Sequence, residues 1–142
     1  MATPRNQNSR STWLPNGIDS CPVDGNRSVL NATTSTLTAA DTGTTQIVTA
    51  SGTTTFTLPA TAVGLVYTFM FAGKDGDATI QVAPVAADGI AAVGSAVVNK
   101  ALILAAATIR KGDFVTIASG VGATGVTAWH VVQHRGILTK QP

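Results

Sequence analysis

The 142-residue chain contains no glutamate, a single cysteine and few charged side chains, which make up 11% of its residues. Aromatic residues account for only 5%, so a core must be built mainly from Val, Ile, Leu and Ala. Glu, Lys, Gln and Arg normally cover exposed helix faces, and their scarcity argues against surface helices. Because Cys21 has no second cysteine to pair with, the sequence gives no sign of an oxidising compartment.

The charge pattern and the lengths of the apolar stretches argue against nucleic acid and a membrane as partners. The net charge is +2 and the basic residues are scattered, with only Arg110 and Lys111 adjacent, so there is no basic stripe to neutralise phosphates. The N-terminal segment 1–13 lacks an apolar core, so we expect no signal peptide. The longest apolar stretch, residues 101–109, is far shorter than the ~20 residues of a membrane helix. We expect neither nucleic acid nor a membrane as partner.

Threonine, valine and glycine dominate instead, in short runs separated by turn residues. Residues 53–58 alternate Thr with Phe56 and Leu58, the period-2 pattern of a half-buried strand. Residues 65–72 are continuously apolar and predict a central strand, whereas residues 84–99 predict a long loop. The other predicted strands are residues 36–38, 45–50, 78–82, 101–107, 114–118 and 127–133. Their hairpin-like spacing predicts an all-β fold, a single antiparallel β-sandwich or small jelly-roll-like barrel.

Composition divides the chain into three parts. Residues 1–32 are polar, rich in turn residues and without any period, so they bury too little apolar surface to fold alone. We predict that they form an extended N-terminal arm. Residues 33–134 form the β-sandwich core, and residues 135–142 form a short C-terminal tail.

Two patterns resemble ligand-binding motifs but have better explanations. The glycine pattern of residues 120–125 matches a dinucleotide fingerprint, which needs a helix after it. A strand is predicted there instead, so the glycines indicate a hairpin loop. His130 and His134 would share one face of that strand about 13 Å apart, too far for one metal ion.

The remaining candidates do not assemble a catalytic site either. Asp75-Gly76-Asp77 resembles the start of a calcium loop, but the later carboxylate ligands are missing, which indicates a plain turn. Cys21 precedes Pro22 in the polar arm, where nothing activates a thiolate. No paired carboxylates or Ser/His/Asp set stand out. We predict no catalytic residue, no metal site, no cofactor and no enzymatic activity.

An aromatic–aliphatic pair, Trp13 and Leu14, stands out in the polar arm. Tryptophan is enriched among interface hot spots. The pair either packs on its own domain or anchors the chain in a partner's groove, and the sequence leaves both open. The partner-binding residues predicted in the arm are Arg5, Arg10, Trp13, Leu14, Ile18 and Arg27.

Five segments together carry a family resemblance that spans roughly residues 36–133. They are residues 37–43, 55–59, 64–69, 111–117 and 129–132. Taken together in this order, the five segments resemble a pattern found in capsid decoration (cement) proteins of tailed bacteriophages, and also in tail-fibre modules.

The resemblance to decoration proteins implies a virion structural protein without catalysis or cofactor. It implies homotrimers, or less often dimers, that bind the major capsid protein on the outer capsid surface and tie capsomers together. The alternative is a tail-fibre or tail-associated β-module that binds a host-surface saccharide. Such a module needs exposed aromatic residues, and the sequence offers only Trp13 and Trp129 for this role.

Overall fold

The computed structural model describes residues 27–62, 64–91, 98–120 and 125–142, without the side chains of residues 27 and 125–127. This part of the chain is nearly all β, as the composition predicts, with one short 3₁₀ helix at Ala39–Asp41. The strands are β1 Arg27–Leu30, β2 Ser35–Thr36, β3 Thr44–Val48, β4 Gly52–Thr57, β5 Val66–Phe71, β6 Ala78–Ala83, β7 Asp88–Ala91, β8 Leu102–Leu104, β9 Phe114–Ser119, β10 Gly125–Arg135 and β11 Leu138–Lys140.

These strands form two mixed sheets. The six-stranded sheet has the order β1-β3-β5-β9-β10-β7, and the five-stranded sheet has the order β11-β8-β6-β4-β2. Strands β1 to β6 alternate between the sheets, and each of β1 to β4 pairs in parallel with the strand two places further along the chain. Residues 27–83 therefore form three stacked coils, each of which contributes one strand to each sheet.

The prediction of an antiparallel fold joined by hairpins is wrong for this half of the chain. The turn around Ser51-Gly52, for example, joins β3 in one sheet to β4 in the other. Turn residues and alternation show where the chain reverses and which side chains face inward. They do not show whether consecutive strands pair edge to edge or pack face to face, and here they pack face to face.

The second half of the chain follows the predicted antiparallel pattern more closely. Strands β9 and β10 form an antiparallel pair, β9 is antiparallel to β5, and β8 is antiparallel to both β6 and β11. The predicted loop at residues 84–99 contains strand β7, which pairs in parallel with β10. Its Ala- and Gly-rich composition hides it, because only Ile90 has the bulk that marks a strand in the sequence.

Both ends of the predicted core differ from the sequence-based boundaries. Residues 27–32, which composition places in the arm, contribute β1 and the buried Ala32. The predicted C-terminal tail contributes β11, and Leu138 packs in the core. The ordered β-structure therefore extends beyond residues 33–134 on both sides.

Aromatic side chains from the two sheets meet in one hydrophobic core. Tyr67, Phe69 and Phe71 alternate along β5 and are fully buried, and Phe56 on β4 lies opposite them. The ring centroids of Phe56 and Phe69 are 4.9 Å apart. The two sheets thus face each other across a single core, an arrangement consistent with a β-sandwich.

Candidate functional site

The outer face of the six-stranded sheet carries an uninterrupted line of apolar side chains. On β5 the residues between the buried aromatic rings point away from the core, and Met70 is one of them. Leu30 on β1 is the register partner of Ile47 on β3, Ile47 that of Met70, and Met70 that of Phe114 on β9. We call these four residues the apolar row. None of them belongs to the core, and the side chain of Leu30 is 66% exposed.

A parallel line of hydroxyl groups lies beside the apolar row. Ser28, Thr45, Thr68 and Thr116 are successive register partners on the same four strands. The hydroxyl oxygens of Thr68 and Thr116 are 2.9 Å apart and share a hydrogen bond. We call these residues the hydroxyl row.

The two rows together make a face that suits contact with another protein. None of their eight residues carries a charge, so covering them removes no ion from water. Interface cores are depleted in charged residues and enriched in aromatic residues and Met, the composition of the apolar row. The positively charged Arg135 borders this face, because it is the register partner of Phe114 on the neighbouring strand β10.

The outer face of the five-stranded sheet is also uncharged at its centre, but it is polar. Thr53, Thr55 and Thr57 alternate outward on β4, and Thr79 and Gln81 do so beside them on β6. This face offers hydroxyl and amide groups without a line of apolar side chains. It is therefore the weaker candidate for a dry protein contact.

Two aspartates at turns accept hydrogen bonds from backbone N–H groups. Asp75 accepts a hydrogen bond from the backbone N–H of Lys111 at 2.7 Å, and Asp113 accepts one from that of Arg110 at 2.8 Å. Asp113 also lies 3.8 Å from Arg135. The segment Asp75-Gly76 lies in a turn, as the sequence predicts. These carboxylates stabilise loops rather than converge on a substrate.

The two histidines are exposed on β10, but they do not share a face as predicted. A register shift lies between Thr116 and Ile117 in the pairing with β9. His130 pairs with Ala118, whereas His134 pairs with Val115, whose side chain points into the core. The bulge adds one residue between the histidines and so reverses their relative orientation. Within the described ranges, no three His, Cys, Asp or Glu side chains are grouped to hold a metal ion.

Two buried polar groups were missed by the sequence reasoning. Asp88 on β7 is 1% exposed, and neither of its carboxylate oxygens has a hydrogen-bond partner in the described part of the chain. Trp129 on β10 is fully buried, and its indole N–H has no partner there either. The prediction that Trp129 is free for a ligand is therefore wrong. An Asp-Gly pair inside a predicted loop carries no signal that would have revealed a buried carboxylate.

Several sequence-predicted residues lie outside the described residues. These are Arg5, Arg10, Trp13, Leu14, Ile18 and Cys21. Arg27 is the first residue of β1, and its side chain is not described. The strand predicted after the glycine pattern is present, because β10 begins at Gly125. Over the residues that the structure describes, no helix has the length and apolar character needed to cross a membrane.

Tyr67 is anchored at the edge of the core by its hydroxyl group. The phenol donates a hydrogen bond to the carbonyl oxygen of Thr38 at 2.8 Å. Its pKa is raised above the ordinary value of 10.0, first because burial disfavours the phenolate and second because of the nearby negative charge of Asp41.

We expect the free energy of unfolding to fall once the pH exceeds 10. The folded chain holds the Tyr67 proton more tightly, so this stabilisation is complete below the unfolded pKa of 10.0 and is lost as the pH rises through the raised folded pKa. Tyr67→Phe removes this dependence and costs about 0.5–1.5 kcal/mol at neutral pH through the lost hydrogen bond. Denaturant unfolding of the wild type and the variant, at neutral pH and above pH 10, measures this difference. The chain's one tyrosine reports its own ionisation by ultraviolet absorbance. Parallel losses in wild type and variant would contradict it.

Compared with models of known protein families, with curated proteins and with solved structures, the chain has no significant match. A functional conclusion therefore depends on the chain's own surface chemistry.

Proposed function

We propose that this protein is a non-enzymatic structural protein of a tailed-bacteriophage virion. It binds the outer capsid surface as an oligomer and stabilises the contacts between capsomers. The observation that carries the proposal is the uncharged part of the outer face of the six-stranded sheet, where the apolar row and the hydroxyl row lie side by side. The resemblance of residues 36–133 to decoration proteins supports it.

The mechanism follows from the chemistry of this face. Burying Leu30, Ile47, Met70 and Phe114 against another subunit removes apolar surface from water, at roughly 25 cal/mol per Å². Ser28 and Thr45 of the hydroxyl row can exchange hydrogen bonds with water for hydrogen bonds with the partner backbone, whereas Thr68 and Thr116 already share one. Each contact is modest, but many copies linked into an oligomer attach firmly because the later contacts form within one assembly.

The core of two mixed sheets acts in this proposal as the rigid platform. The N-terminal arm adds further contacts to the major capsid protein. Arg5, Arg10 and Arg27 supply positive charge for acidic residues of the shell, and Trp13, Leu14 and Ile18 supply apolar surface. A homotrimer is the favoured assembly, with a dimer as the second choice.

The proposal is tested by light scattering and by co-sedimentation with empty capsids of a tailed phage that carries this gene. We expect a particle of three times 14.4 kDa that pellets with the capsids. A monomer that stays in the supernatant would overturn the proposal.

The same assay tests the arm. Because residues 27–30 form β1 and Ala32 is buried, the deletion that removes the arm without cutting β1 ends at residue 26. We expect this deletion to lower capsid occupancy while circular dichroism still shows a β-rich fold. Full occupancy of the shortened chain would mean that the arm has no part in binding.

The alternative, a tail-associated module that binds a saccharide, is less well supported. Saccharide sites commonly stack the sugar on an exposed aromatic ring, and the described aromatic residues Phe56, Tyr67, Phe69, Phe71 and Trp129 are all fully buried. Phe114 alone among the described aromatic residues is half-buried, and it belongs to the apolar row.

A further inference from the structure

Arg135 on β10 places a positive charge next to the apolar row. It is the register partner of Phe114, the member of the row on β9. Side chains of register partners lie on the same side of a sheet, so the arginine lies on the outer face beside Phe114. Its side chain is 68% exposed. A partner that covers the row as far as Phe114 therefore also meets this guanidinium group.

A buried carboxylate orients this arginine. The side chain of Asp113 is only 5% exposed, and its Oδ1 lies 3.8 Å from the Nε of Arg135. Its Oδ2 accepts a hydrogen bond from the backbone N–H of Arg110 at 2.8 Å, which fixes the carboxylate. Among the described residues, no hydrogen bond occupies the terminal nitrogens of Arg135. These nitrogens are therefore open to a ligand on the exposed side.

Two glycines make room for this ion pair. Gly136 has a φ of 106°, and a Cβ at this position would lie 2.7 Å from the Cγ and the Oδ2 of Asp113. Gly112 has a φ of 91°, and the Nη1 of Arg135 lies 3.4 Å from the place that its Cβ would take. A side chain at residue 136 would displace the carboxylate, and the guanidinium group packs against the bare backbone of Gly112. The local chain is thus shaped around the Asp113–Arg135 pair.

The turn just before β9 adds two further cations to this corner. Arg110 and Lys111 are both exposed, whereas Asp113 is buried and Asp75 bonds the backbone of Lys111. Three cations, Arg135 included, therefore face two acids. Covering Arg135 without a counter-charge from the partner is strongly unfavourable. A carboxylate fits best, because it matches the planar fork of arginine with two parallel hydrogen bonds.

We infer that Arg135 is a recognition residue of the outer face, and that it binds a carboxylate which the partner protein presents beside its own apolar side chains. This inference rests on the proposed function, because it names the chemistry of the partner that the same face contacts. The partner surface is apolar over the row and carries an Asp or Glu side chain at the end that meets Arg135. Asp113 acts as a positioning residue, since it holds the guanidinium group from the buried side.

Short peptides test the carboxylate without any capsid. The probe is the acetylated and amidated tripeptide Leu-Glu-Leu, and the matched control is Leu-Gln-Leu, which differs only in charge. Nuclear magnetic resonance of the arginine Nε–H groups and the backbone amides measures both dissociation constants. We expect the wild type to bind the glutamate peptide at least about fivefold more tightly, because an ionised acceptor strengthens the hydrogen bonds of arginine. Equal affinities for the two peptides would overturn the inference.

Variants show whether Arg135 is the residue responsible. Arg135→Gln is expected to abolish the preference, so that both peptides bind equally. Lys100→Gln removes the same charge at a residue before β8, in the other sheet, and is expected to keep the wild-type ratio. Circular dichroism checks that both variants are folded. A preference that survives in Arg135→Gln, or that Lys100→Gln loses equally, would overturn the inference.

Co-sedimentation with empty capsids separates this inference from the proposed function. We expect Arg135→Gln to bind capsids at least about tenfold more weakly than the wild type, and Lys100→Gln to bind as the wild type does. Equal binding of the wild type and Arg135→Gln would overturn the inference while the proposed function stands. If the wild type itself stays in the supernatant, the proposed function fails, and the peptide ratio still decides whether Arg135 binds a carboxylate.

Discussion

Replacing Phe69 with alanine is expected to lower the free energy of unfolding by about 3–5 kcal/mol. Phe69 is fully buried in the middle of β5, and its ring contacts Phe56 on the opposite sheet with centroids 4.9 Å apart. Truncation leaves a cavity between the two sheets, where neither can collapse without moving the stacked coils. Because a domain of this size is stable by only about 5–15 kcal/mol, the loss is a large share of the total. Urea unfolding followed by circular dichroism measures it.

The adjacent residue provides the control. Met70 lies on the same strand but on the outer face, so Met70→Ala is expected to change the free energy of unfolding by less than about 1 kcal/mol. Equal losses for Phe69→Ala and Met70→Ala would contradict the assignment of the two faces.

If the protein binds the capsid as proposed, replacing Met70 with lysine is expected to weaken that binding at least about 100-fold while the protein remains folded. Met70 is central in the apolar row, between Ile47 and Phe114. In the free protein the lysine amine can reach water from the outer face. In the complex it would be buried without a partner, and an unpaired buried charge costs about 3–5 kcal/mol. Co-sedimentation over a range of protein concentrations measures the change.

Thr139→Lys is the matched control for this prediction. Thr139 is exposed on β11, in the other sheet, so the same change of charge there leaves the apolar row intact. We expect wild-type binding from this variant. If both lysine variants lose binding equally, net charge controls binding, and the apolar row is not the contact surface.

The all-β class could be predicted because alternation is a local property. In residues 53–58, Thr54, Phe56 and Leu58 are buried and the residues between them are not, as the pattern indicates. Strand β5 was also predicted within a residue or two, since its aromatic residues leave no other interpretation.

The parallel coils could not be predicted in the same way. Ser35 pairs with Phe56, and Phe56 with Val82. These partners lie far apart in the sequence, on strands separated by a strand of the other sheet. Strands β4 and β6 contain the same inward alternation that an antiparallel hairpin would show. The choice between the two depends on how neighbouring coils stack, which no single segment encodes.

The candidate site was hidden for the same reason. Leu30, Ile47, Met70 and Phe114 come from four separate segments, and each looks unremarkable among its neighbours in the sequence. Only the register places them in one line.

The most direct test of the account is the oxidation of Met70 in intact phage particles. Peroxide oxidises methionine at a rate that follows its exposure, and Met70 is one of only two methionines in the chain. Mass spectrometry of the digested protein measures the rate in particles and in the free protein. We predict oxidation at least about tenfold slower in particles, because the proposed capsid contact would cover the apolar row there. Equal rates in both would show that this face stays open, and would contradict the claim that it binds the capsid.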